Sequence, residues 1–379
     1  MEQTNNKGIW WVVGIIVVVL VVIFAFRGGS KETGPIKIGV IAPLTGDASV
    51  YGEAVRNGVA LALDEINSAG GVGGRTVEAI YEDGKCNGKD AASAAQKLVD
   101  IDKVKVIVGG MCSGETFGAA PVTTPAKVIL FSSVSSAAKV STLGGYVFRN
   151  HPSDNLAGQE LAKYISSKYK KIAIVSEQTD YAQGIRTTFI DAVKADGSSV
   201  VFDESYVSNT KDFRSIVSKI KSLGVDALFI NAQVGSNASQ IAKQAREQGI
   251  NAQFFTAYLT GPEFVKANPE VEGTIIIDVP GLSTDVKGQQ LLTEYKAKYN
   301  SEPNYKFFVG TSYDATHILV DAITKVGQDT SKIANYLHSL KNYSGSIGTY
   351  SLDPEKPDVV GLGLVFRQIK NGEVVDFIK

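Results

Sequence analysis

Ile36-Lys-Ile-Gly-Val-Ile-Ala42 is followed by the loop Pro43-Leu-Thr-Gly-Asp-Ala-Ser-Val-Tyr51. After it, Val55, Val59, Leu63 and Ile66 fall on one face of a helical segment that runs to residue 68. The rest of the chain repeats this order of strand, loop and helix. Apolar runs at Val77–Tyr81, Val104–Val108, Val128–Phe131, Ile172–Val175, Val200–Tyr206, Ala227–Ile230 and Thr274–Asp278 predict further strands. Many lack alternation, as strands buried on both faces should. Segments 90–101, 154–168, 183–195, 212–223 and 238–248 predict the helices between them. A repeated strand-then-helix order implies parallel sheets covered by helices and joined by right-handed crossovers. The fold class is α/β with open sheets.

Open sheets of this kind bind ligands where loops and helix N-termini meet at the carboxyl ends of the strands. The loops there are Pro43–Tyr51, Gly109-Gly-Met-Cys-Ser-Gly-Glu115 and Ser132-Ser-Val-Ser-Ser-Ala-Ala138, all rich in small and hydroxyl-bearing residues. Ser113 and Ser136 could each set a hydroxyl beside free backbone N–H groups, where a helix N-terminus favours negative charge. That combination is a cradle for a carboxylate or a phosphate. Ordinary helix capping is the alternative for any one of these serines; three such loops at one sheet edge favour a site.

The chain carries 38 basic and 39 acidic residues, for a net charge of -1, and they are spread along its length. No basic surface for nucleic acid is implied. Ile9–Phe26 contains no charged residue and is just long enough to cross a bilayer as a helix. It reads first as an uncleaved membrane anchor, with residues up to 35 as anchor and tether. The competing reading is a cleaved secretory signal, with Lys7 as its basic start and Gly28-Gly29-Ser30 as the cleavage region. No cysteine lies near residue 27 to carry a lipid. Beyond the tether remain about 340 residues, too many for one core and enough for two lobes. The two cysteines, Cys86 and Cys112, sit in polar, glycine-containing loops. That placement suits a disulfide worth roughly 3 to 4 kcal/mol by loop closure, against two unrelated thiols as the alternative.

Signs of an enzyme are weak. His151, His317 and His338 are far apart, with no cysteine or carboxylate pair at metal spacing, so no metal or other cofactor is indicated. Gly70-Gly-Val-Gly-Gly74 follows a helix instead of opening one, so it reads as a helix stop and turn. No phosphate loop and no serine elbow follows a strand. A Ser113 or Ser136 nucleophile would need a base that only the fold could bring near.

The opening Ile36-Lys-Ile-Gly-Val-Ile-Ala-Pro-Leu-Thr-Gly46, Tyr51-Gly52, and Gly58-Val-Ala-Leu-Ala-Leu-Asp-Glu-Ile-Asn-Ser-Ala-Gly-Gly71 resembles the type I periplasmic binding proteins of branched-chain amino acid transporters. Asp83-Gly-Lys-Cys86, Cys112-Ser113, Tyr181-x-x-Gly184, Asp212-Phe213, Gln244-Ala-Arg246 and Ser312-Tyr313-Asp314-Ala315 extend the similarity over residues 36 to 379. The resemblance implies two lobes that trap a ligand between them, residues 36–153 with 281–362 and residues 154–280 with 363–379. It implies a Cys86–Cys112 disulfide and a Ser113 hydroxyl on the ligand carboxylate. By the same resemblance Val134, Ser135 and Ser136 lie on the ligand loop, and the last two meet the ligand's ammonium and carboxylate. Tyr51, Tyr181 and Tyr313 match aromatic positions around the pocket. Where the family has an acidic partner for the ammonium, this chain has Tyr258, and Gln233 or Val234 stands where the family has a pocket tyrosine. Glu263 and Asp314 are the nearby carboxylates.

The implied function is a tethered extracytoplasmic protein that captures a small carboxylate-bearing solute, an amino acid of the branched-chain type, and delivers it to the permease of an ABC importer. Its partners are then that solute, the permease subunits and the membrane. Two alternatives stand beside it: an ectodomain that senses the same solute, and a serine hydrolase or amidase. Against the sensing reading, the resemblance already accounts for the chain up to Lys379, so no output domain is expected.

Overall fold

Every run expected as a strand forms one, with ends shifted by a residue or two. The computed structural model describes residues 34–258 and 261–378. Ile9–Phe26 lies outside them, and among the described residues no helix is long and apolar enough to cross a membrane. The first sheet is built from β1 (Ile36–Ala42), α1 (Ser49–Ser68), β2 (Val77–Asp83), α2 (Gly88–Asp100), β3 (Val106–Gly109), α3 (Ser113–Thr123), β4 (Ile129–Ser132) and β5 (Val147–Arg149). Its strands run parallel in the order β2-β1-β3-β4-β5. β3 and β4 are buried at every position, because helices cover both faces.

The second sheet follows the same grammar: α4 (Asp154–Lys168), β6 (Lys171–Glu177), α5 (Asp180–Ala195), β7 (Ser199–Tyr206), α6 (Arg214–Leu223), β8 (Ala227–Asn231), α7 (Gly235–Glu247), β9 (Gln253–Ala257), α8 (Pro262–Ala267) and β10 (Ile275–Asp278). Three helices then pack back on the first sheet's side: α9 (Val286–Tyr299), α10 (Lys306–Val326) and α11 (Thr330–His338). α10 lies so close to α1 that a Cβ at Gly58 would sit 2.3 Å from the Val309 carbonyl oxygen. The chain closes with a small antiparallel sheet, β11 (Tyr343–Gly345), β12 (Gly348–Leu352) and β13 (Val359–Val360), and a final hairpin, β14 (Val365–Lys370) and β15 (Glu373–Asp376).

That hairpin corrects the expectation of two purely parallel sheets. The second sheet has the order β15-β14-β10-β9-β8-β6-β7, with β14 antiparallel to β10 and β15 antiparallel to β14. The cause is local. Asn371 (φ 56°) and Gly372 (φ 72°) form a two-residue turn with both residues left-handed, which joins only antiparallel strands.

Candidate ligand-binding site

Loops at the carboxyl ends of β1, β3 and β4 meet loops after β6, β8 and β9 around a cavity of about 60 Å³. One water needs roughly 10–15 Å³ on this measure, so the cavity suits a compact solute and no macromolecule. From the first sheet's side come Tyr51, Cys112, Ser113, Val134 and Ser136; from the second come Tyr181, Gln233 and Tyr258.

The β3 loop is held by a disulfide and a buried carboxylate. Cys86 and Cys112 are bonded, with Cα atoms 5.2 Å apart. Glu115, fully enclosed, accepts the N–H of Cys86 at 3.0 Å and that of Cys112 at 3.0 Å, so one side chain braces both arms of the bond. Burial pushes its carboxyl up to about 7. α3 starts at the residue after Cys112. Ser113 Oγ accepts the Ala137 N–H at 3.2 Å, which leaves its own hydrogen free to donate at the helix N-terminus. A neutral group gains little there; a carboxylate gains a charge-assisted bond.

The β4 loop is fixed from behind by Arg149, which is completely buried. Its guanidinium donates to the Ala137 carbonyl at 3.0 Å and to Ser141 Oγ at 2.9 Å, and it pairs with Asp358. The β1 loop is tied to β2 in the same manner, since Asp83 accepts from the Leu44 N–H at 2.9 Å and from the Thr45 hydroxyl. Each wall therefore carries its own support, as a preorganised site requires.

Two expected contacts are placed elsewhere. Ser135 Oγ donates to the Gly110 carbonyl at 2.6 Å and sits beside the Thr116 hydroxyl, so it stitches β3 to the β4 loop and does not line the cavity. Tyr313 lies on α10 with its ring 4.5 Å from that of His317 and its hydroxyl on Glu65, in the α1–α10 packing. Phe308, one helical turn and a little more before it, takes the aromatic place in the cavity wall. Of the pair Gln233 and Val234, it is Gln233 that lines the cavity, and its side-chain amide reaches Cys86 Sγ across the cleft. Neither nearby carboxylate substitutes for an ammonium partner: Asp314 accepts the Ser346 N–H at 2.8 Å in the turn between β11 and β12, and Glu263 accepts from Asn304 at 3.0 Å.

Tyr258 is held at φ 60°, a conformation that costs a bulky residue about 1–3 kcal/mol. Its hydroxyl is buried without a hydrogen-bond partner among the described residues. Asp154, the first residue of α4, shares this condition: it is fully enclosed and neither carboxylate oxygen makes a hydrogen bond. Its backbone N–H meets the Ser136 carbonyl at 2.8 Å, and burial raises its carboxyl to about 7 against the pull of the Arg149 charge. Sequence reading missed Asp154, Met111, His151 and Phe308. Apolar patterning classes Met111 and Phe308 as core, and Asn150-His-Pro-Ser-Asp154 carries no periodic signal.

Two α/β lobes with a small cavity at their facing strand ends, walled from both sides, define a solute-binding protein of the hinge-closing kind. The chain belongs to the periplasmic binding protein family, whose model matches residues 35–372. It is 30% identical over 340 residues to the leucine-, isoleucine-, valine-, threonine-, and alanine-binding protein of Pseudomonas aeruginosa, over 86% of this chain and 88% of that one. It is 28% identical to the Leu/Ile/Val-binding protein of Escherichia coli, over 90% and 93% of the two chains. A branched-chain amino acid transporter substrate-binding protein of Streptococcus pneumoniae, solved with isoleucine, superposes with a TM-score of 0.80 at 30% identity, over 90% of this chain and 97% of that one. This is a family of binding proteins, not of enzymes.

Proposed function

We propose that the protein captures an amino acid of the branched-chain type between its lobes, 36–153 with 281–362 and 154–280 with 363–379, and hands it to an ABC importer. The observation that carries this reading is the Ser113 hydroxyl, with its hydrogen free, at the N-terminus of α3 in a small cavity walled by both lobes. The ligand carboxylate docks on the first lobe through Ser113 and Ser136. Tyr181, Gln233 and Tyr258 then close on it, and contacts to both lobes bias the open-closed equilibrium. Ligands named for the Pseudomonas and Streptococcus relatives support the choice of solute. Calorimetry of the purified chain with leucine, its amide and its deaminated acid tests it. Leucine should bind and the amide should lose most affinity; an amide that binds as tightly as leucine removes the carboxylate cradle. If none of the three binds, the branched-chain choice fails.

The uncharged run Ile9–Phe26 supports tethering of these lobes outside the cytoplasm, close to the permease they serve. The intact mass of the protein from its native host decides this. A mature N-terminus near residue 30 would make the run a cleaved signal.

A further inference from the structure

We propose that His151 is a specificity-determining residue whose Nε2 lone pair accepts a hydrogen bond from a donor group on the ligand. The inference rests on the amino-acid reading above and names the group that replaces the missing acidic partner. His151 lies in the segment between β5 and α4, lines the cavity and is only 1% exposed. Its Nδ1 is 2.9 Å from the Pro152 carbonyl. A carbonyl only accepts, so Nδ1 carries the hydrogen, and in a neutral imidazole Nε2 is then a bare acceptor. Burial, helped by the nearby Arg149 charge, keeps the ring neutral by lowering its pKa to about 4.

The ring cannot turn away. Tyr258 meets it edge-on at 5.3 Å and 86°, and Phe307 at 5.5 Å and 89°. Among the described residues none donates to Nε2. Serine and tyrosine hydroxyls in the cavity wall can donate or accept, and so tolerate many ligands; a bare nitrogen can only accept. With Ser113 as donor elsewhere in the wall, the arrangement selects a zwitterion, an α-amino acid, over the corresponding simple carboxylic acid.

Nitrogen-15 histidine spectra of the full chain test this, since there are only three histidines and His151→Phe identifies the signal. The expected result is an Nδ1–H tautomer in the free protein and a displaced Nε2 resonance on saturation with leucine. His151→Phe should weaken leucine about tenfold or more and leave 4-methylpentanoate within about threefold. His151→Gln, which keeps an acceptor, should recover part of the difference and stands in should the Phe variant fail to fold. An Nε2–H tautomer, an Nε2 signal unmoved by bound leucine, or equal losses for both ligands overturns the proposal. If the wild type binds neither ligand, the branched-chain reading falls separately. The tautomer of the free protein then decides: Nε2–H overturns the proposal, and Nδ1–H retains it for another donor-bearing solute.

Discussion

The backbone N–H of Gly235 donates to the Tyr51 hydroxyl at 3.2 Å, a bond from the first turn of α7 in one lobe to α1 in the other. Tyr51 is held for it by Tyr305, whose ring lies 4.7 Å away edge-to-face. Gly235 has no room for a side chain, since a Cβ would sit 2.8 Å from the Phe264 ring. The bond exists only while the lobes are together, so it measures closure.

Tyr51→Phe keeps the ring packing and removes this bond. A neutral hydrogen bond contributes about 0.5–1.5 kcal/mol net, so ligand affinity should fall roughly 2- to 12-fold. Small-angle scattering of the saturated variant should show a larger open fraction than the wild type. Unchanged affinity and compaction would mean that the contact carries no closure energy.

Ser113→Ala removes a donor to the carboxylate on the first lobe alone. The loss should be about 1 to 3 kcal/mol, roughly 5- to 150-fold, with little change in the closed form once saturated. Tyr181→Ala, on the second lobe, should reduce both affinity and ligand-induced compaction. Calorimetry and scattering on the same pair of variants separate docking from closure.

Cys86–Cys112 closes a loop with a sequence separation of 26. Replacing both cysteines with serine should cost about 2–5 kcal/mol of unfolding free energy, read from urea titration. Ligand affinity should also drop, because Cys112 and Ser113 are adjacent in the cavity wall. Thiol labelling of the protein without reductant should find none reactive.

Glu115 gives stability a specific pH dependence. Its carboxyl is raised by burial from 4.5 to about 7 in the folded protein, so the folded state holds a proton that the unfolded chain releases. Its contribution is therefore full below about pH 4.5 and is lost as pH rises through about 7. Asp154 behaves alike, while His151, lowered to about 4, acts in the opposite sense as pH falls from 6.5 to 4. Glu115→Gln should flatten the melting profile between pH 4.5 and 7. It should also destabilise by about 1–3 kcal/mol, because an amide cannot accept at both of the oxygens that meet Cys86 and Cys112.

Strand and helix periodicity is a local property, so Ile36–Ala42 and the α1 face were legible residue by residue, as was the position of the loops at the strand ends. Asn371-Gly372 also announces its hairpin locally, but nothing in the sequence says that this hairpin joins the second sheet as antiparallel strands beside β10. Resemblance supplied Cys86–Cys112 and the hydroxyl at Ser113, because those positions keep their neighbours in chain order. It placed Ser135 and Tyr313 in the pocket, whereas their side chains point to Gly110 and Glu65. Side-chain direction depends on which neighbours offer a better partner, and that is a fact of packing. His151 and Asp154 show the same limit from the other side. Burial sets the charge of both, the Pro152 carbonyl sets the tautomer of one, and only the assembled lobes provide that burial.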